Sequence, residues 1–139
     1  MSERSHGPSP DRPMVELPSG PLVAIVGPCA SGKSTLGRGL KARGVRVRQV
    51  AQEHSYIPRM WQLLTNPDYL VFLDASFEAC TRRKNLDWSE SEYEEEHRRL
   101  SHARKLCDLY LMTDRMSPEE VLEAVLNGLG LEDRSAQGV

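Results

Sequence analysis

Five apolar residues, Leu22 to Val26, run straight into Gly27-Pro28-Cys29-Ala30-Ser31-Gly32-Lys33-Ser34-Thr35, and a helical pattern follows at once. No other segment constrains the chain as strongly. A continuous β-branched run reads as a strand buried on both faces, and such strands belong to parallel sheets covered by helices. Gly27 and Gly32 let the backbone turn so that successive N–H groups point inward. The helix beyond them adds unpaired N–H groups and the positive end of its dipole. GxxxxGK[ST] between a strand and a helix therefore reads as an anion cradle made by Gly27, Ala30, Ser31, Gly32, Lys33, Ser34 and Thr35. In that reading Lys33 reaches the β- and γ-phosphates of a nucleoside triphosphate, and Ser34 Oγ ligates Mg²⁺.

Three more apolar segments alternate with helical patterns. Val45 to Val50 alternates with Arg46 and Arg48, which predicts an edge strand with one wet face. Tyr69 to Leu73 is continuous, and Asp108 to Met112 completes the set. Helices are expected over Ser34–Arg43, Arg59–Leu64, Phe77–Lys84 and Ser89–Lys105. A last amphipathic helix opens at Ser117-Pro118-Glu119-Glu120, a capping residue followed by proline at the first position. Alternation with short links predicts a three-layer α/β fold: about four mostly parallel strands in the order 2-1-3-4, with helices on both faces. The order reverses beside the first strand, where such sheets bind ligands. Gly37 and Gly39 weaken the first helix unless close packing requires them.

The first twenty residues hold four of the nine prolines and little periodic apolar pattern, so residues 1–20 and 131–139 are expected to be flexible tails around a folded body of 21–130. No apolar stretch approaches a membrane span, and the N-terminus lacks the apolar middle of a secretory signal; a cytoplasmic protein without membrane contact is the expectation. Net charge is −2, which gives no global field for nucleic acid. Residues 36–59 carry six basic side chains and one acid, suited to a polyphosphate or simply solvated. The three cysteines form no CxxC pair, and His97 and His102 fall on different helix faces, so no Cys/His metal site is expected. Cys29 in the loop reads either as a redox thiol lowered by the helix N-terminus or as a small filler.

The chain resembles the P-loop NTPase superfamily, and more narrowly its nucleoside, nucleotide and small-molecule kinase branch. The resemblance spans about residues 22–129. It rests on the loop, on LVFLDASFEACTRR at 70–83 and on CDLYLMTDRMSPEEVLEAVLNGL at 107–129. It implies an ATP- and Mg²⁺-dependent phosphotransferase acting on a small-molecule phosphate acceptor. Arg82 and Arg83 would begin a lid, and Asp114 and Arg115 would border the base. Kinases of this branch have five strands; here one strand-helix unit is missing, the one that carries acceptor-binding residues and often the acid near Mg²⁺. The alternative is therefore a regulatory nucleotide-binding protein or weak ATPase.

Phosphoryl transfer needs an acid near Mg²⁺ and cations near the γ-phosphate. Glu53, just past the second strand, is the first candidate acid and metal ligand; otherwise it is a loop acid paired with Arg59. Asp74, ending the third strand, is a water-mediated Mg²⁺ ligand or base, or else a helix cap, with Ser76 the other candidate cap. His54 is a candidate proton carrier or a hydrogen-bonded loop residue. Trp61, with Tyr56 and Met60, lines an acceptor pocket or packs a short helix. Arg98, Arg99 and Arg104 join Arg82 and Arg83 as candidate lid cations, against the reading of an exposed salt-bridged helix.

Overall fold

A computed structural model of the chain describes residues 20–85 and 87–131; apart from Gly20 and Leu131, the expected tails lie outside the described residues. Four strands, β1 (Leu22–Val26), β2 (Arg46–Gln49), β3 (Tyr69–Asp74) and β4 (Leu109–Met112), form one sheet in the order β2-β1-β3-β4. All three pairings are parallel. Six helices surround it: α1 (Lys33–Ala42), α2 (Met60–Thr65), α3 (Phe77–Lys84), α4 (Glu90–Arg99), α5 (Ser101–Leu106) and α6 (Pro118–Leu129). The expected α/β architecture and strand order are those observed. Among the described residues no helix is long and apolar enough to cross a membrane.

The two-residue period of β1 divides the core. Val23 and Ile25 join Leu36 and Leu40 of α1 and Val121, Val125 and Leu126 of α6 on one face. Ala24 and Val26 join Trp61 of α2, Leu100 and Ala103 on the other. β2 is the edge its alternation suggested, with Arg46 and Arg48 exposed. The two α1 glycines are packing sites. A Cβ on Gly37 would stand 3.1 Å from Gln49 Nε2, and one on Gly39 would stand 3.2 Å from Leu122 Cδ2. Ser117 and Glu120 close a reciprocal capping box at the start of α6.

One helix expectation is corrected. Ser89–Lys105 is not a single helix but α4 and α5, divided at Leu100, a turn residue whose φ and ψ of −93° and −3° lie at the edge of the right-handed helical region. The sequence on the two sides explains the break. Leu100 and Ala103 are fully buried against the sheet, whereas Glu96 is the one buried residue of α4. The polar first half thus lies over the 52–54 turn and the β1–α1 loop, while the second half belongs to the core.

Candidate functional site

The β1–α1 loop emerges at the carboxyl end of β1, where the strand order turns. Its first glycine is fixed by close approach: a Cβ on Gly27 would lie 2.0 Å from the Leu73 carbonyl oxygen and 2.8 Å from Ser31 Oγ. Ala30 and Gly32 take left-handed backbone, φ 66° and 107°, and a Cβ on Gly32 would meet nothing within 4 Å. No side chain caps α1, and its first turn holds no acid, so its leading N–H groups face a cleft of about 610 Å³. Ala30, Gly32, Lys33, Ser34 and Thr35 line that cleft, with Cys29, Gln49, Glu53 and Arg83.

Lys33 is held across the loop. Its Nζ donates to the carbonyls of Gly27 at 2.8 Å and Pro28 at 3.0 Å, and to Glu53 Oε2 at 3.0 Å. Glu53 sits in a one-turn 3-10 helix, residues 52–54, directly after β2, and is 4% exposed. Its second oxygen, Oε1, is buried without a hydrogen-bond partner, as is Ser31 Oγ. The alternative pairing with Arg59 does not occur: Arg59 Nε donates to Gln62. Ser34 Oγ donates to Gln49 Oε1 at 3.1 Å.

Asp74 has a different environment. Its Oδ1 accepts from the Ala75 N–H and bonds His97 Nε2, both at 2.9 Å, and its Oδ2 accepts from the Tyr110 hydroxyl at 2.6 Å. Burial opposes ionisation of Asp74, but the His97 and Tyr110 hydrogen bonds and the His97 charge outweigh it and hold the carboxyl below its ordinary range. The same hydrogen bond raises His97 against its partial burial. Burial and the Asp74 bond push Tyr110 up to about 12. Ser76, not Asp74, caps α3, accepting from the Ala79 N–H at 3.1 Å. Asp74 does not line the cleft.

Of the two adjacent arginines the structure brings one to the loop. Arg83 donates to the Ala30 carbonyl at 3.2 Å and to Thr113 Oγ1 at 3.0 Å, while Arg82 is exposed and does not line the cleft. Thr113 is a residue that sequence reasoning missed. It is buried, and its hydroxyl contacts the carbonyls of Ser31 at 3.1 Å and Asp74 at 3.0 Å. Thr113, Met116 and Val121 line a second cleft of about 200 Å³ beside Gly32 and Thr35. Asp114 turns away from it and accepts from the Ser76 N–H at 2.8 Å; Arg115 is exposed on the same turn.

The other lid candidates have structural partners. Arg98 pairs with Glu95, Arg104 stacks over the Tyr110 ring, and Arg99 donates to the Glu53 carbonyl and the Tyr56 hydroxyl. Trp61 is a core residue whose indole donates to His102 Nδ1 at 3.2 Å, which settles its role as packing. Gln52 is fully buried: its amide donates to the Ile57 carbonyl and its oxygen accepts from the Trp61 N–H. That staple fixes the turn carrying Glu53 and His54.

Cys29 meets Glu96 twice, through its N–H to Oε1 at 3.0 Å and its Sγ to Oε2 at 3.1 Å, and its Sγ lies 3.6 Å from His54 Nε2. Burial, then the Glu96 bond and charge, pushes the thiol up to about 12, so the lowered redox thiol is corrected. The adjacent carboxylate outweighs the helix end.

No family model matches the chain, and no curated protein does. The functional reading therefore rests on the geometry of the site itself.

Proposed function

We propose that the chain is a P-loop protein that binds Mg²⁺ and ATP, and that it transfers the γ-phosphoryl group to a small-molecule acceptor in the manner of the kinase branch it resembles. One observation carries the reading. Lys33 is anchored to two loop carbonyls and to a buried glutamate whose other oxygen has no partner. A buried carboxylate oxygen left unsatisfied costs about 1–3 kcal/mol or more, and a hydrated divalent cation would satisfy it. Ser34 Oγ and Glu53 fit Mg²⁺, an oxygen-seeking ion that keeps most of its waters. Bound there with nucleotide, it supplies neutralisation of β- and γ-phosphate charge.

The chain's own groups do the rest. The N–H groups from Gly32 to Thr35 receive phosphate oxygens. Lys33 exchanges its carbonyl partners for the β- and γ-phosphates, and Arg83 lies within reach of the same cleft as a second cation. The base end takes the smaller cleft beside Thr113 and Met116. The engagement of both Asp74 oxygens favours a second reading. Without a free acid opposite Glu53 to activate an acceptor hydroxyl, the chain would bind nucleotide as a regulator and hydrolyse it slowly.

Calorimetry of Mg²⁺-ATP with wild type, Lys33→Ala and Ser34→Ala, each checked for folding by circular dichroism, tests the binding claim. Saturable binding to wild type, lost in Lys33→Ala and weakened in Ser34→Ala, is expected. ADP release stimulated by pooled metabolites supports the kinase, and binding without stimulation supports the regulator. A folded wild type that binds no nucleotide overturns both.

A further inference from the structure

Cys29, His54 and Glu96 come from three different elements, the β1–α1 loop, the 52–54 turn and α4. Their ligand atoms lie within 4.8 Å of one another, and this is the single such group of three found among the described residues. We propose that these three side chains form a site for one zinc ion, distinct from the Mg²⁺ site at Ser34 and Glu53.

The donor set selects the ion. Sulfur, imidazole nitrogen and a carboxylate oxygen are zinc ligands, whereas Mg²⁺ prefers six oxygens and does not favour thiolate. The spacing agrees. Tetrahedral bonds of about 2.3 Å to sulfur and about 2.0–2.1 Å to nitrogen put the two donors about 3.6 Å apart. Cys29 Sγ and His54 Nε2 are separated by 3.6 Å. Glu96 Oε2, at 3.1 Å from the sulfur, needs to move out by only about 0.5 Å to reach the matching separation.

The surroundings are organised for this. Glu96 is 5% exposed, and its Oε1 is oriented by the Cys29 N–H, the kind of outer contact that fixes a ligand's direction. His54 rides on the turn stapled by Gln52. Its side chain is 58% exposed, which gives an ion a path inward and leaves water the fourth position. On binding, Cys29 releases its thiol proton to solvent and the sulfur takes the metal. The ion would tie the loop at Cys29 to α4 and draw His54 from Glu53, now 3.7 Å away. Zinc binding here needs no nucleotide.

The test is titration of reduced, metal-stripped full-length protein with Co²⁺, followed by displacement with Zn²⁺. One equivalent is expected, with a sulfur-to-cobalt band in the near ultraviolet, tetrahedral visible bands and proton release in weak buffer. Cys29→Ser should abolish the near-ultraviolet band. His54→Ala, a change at an exposed side chain, should weaken Zn²⁺ affinity by at least about 10-fold. Cys107→Ser should keep the band. Absence of the band, its survival in Cys29→Ser, its loss in Cys107→Ser, or unchanged affinity in His54→Ala would each overturn the site.

Discussion

Glu53 and Asp74 are both buried carboxylates, and they follow or end the two strands that flank β1 at its carboxyl edge. Asp74 has every oxygen engaged, by a backbone N–H, an imidazole and a phenol. Glu53 has one oxygen on Lys33 and the other on nothing. A satisfied buried acid holds a fold together, whereas an unsatisfied one is retained at a cost that a ligand can relieve. Residue type and position along a strand do not separate the two; the partners do.

Removing Lys33 strikes this contrast hardest. Lys33→Ala leaves Glu53 buried without its counter-charge and should destabilise the fold by about 3–5 kcal/mol in denaturant unfolding. Adding Glu53→Gln should restore part of that loss; a double variant no more stable than the single one would show that the charge is not the cause. Tyr110→Phe, which strips a hydrogen bond from Asp74, should cost about 1–3 kcal/mol and leave Mg²⁺-ATP affinity within a factor of two. A tenfold loss of affinity would move Asp74 into the site.

The Asp74–His97 pair also predicts a pH dependence. His97 is raised above its ordinary 6.5, so its contribution is complete below that value and fades as pH climbs through the raised one. Asp74 is held below its ordinary 3.8, so its contribution is complete above that value and fades in stronger acid. The coupling energy from a His97→Ala, Asp74→Asn cycle should therefore be greatest between these limits and decline on the alkaline side. A coupling that grows above neutrality would contradict the assignment. The smallest effect belongs to Arg98→Ala: it breaks an exposed pair with Glu95 and should leave the unfolding midpoint and turnover unchanged within error.

These differences explain what the sequence could reveal. The continuous run at 22–26 and the alternation at 45–50 report burial on two faces and on one, which suffices to order the strands. The loop is legible because its residues are contiguous. Thr113 and Glu96 are silent because each acts on a partner distant in the chain; Glu96 reaches Cys29 across 67 positions. The break at Leu100 hides inside a good helical pattern, since only packing against the sheet distinguishes its two halves.

That break also divides the molecule by cohesion. The segment from Trp88 to Arg99 contributes no large apolar side chain to the two main cores, whereas Leu100 and Ala103 are sealed into one of them. Amide hydrogens of α4 should thus exchange through a local opening far cheaper than global unfolding, while those just beyond Leu100 wait for the sheet itself to come apart. Each such opening also breaks the two Glu96 contacts on Cys29, which already lines the cleft, so the reactivity of that thiol in the native protein should rise with α4 opening and not wait for the fold.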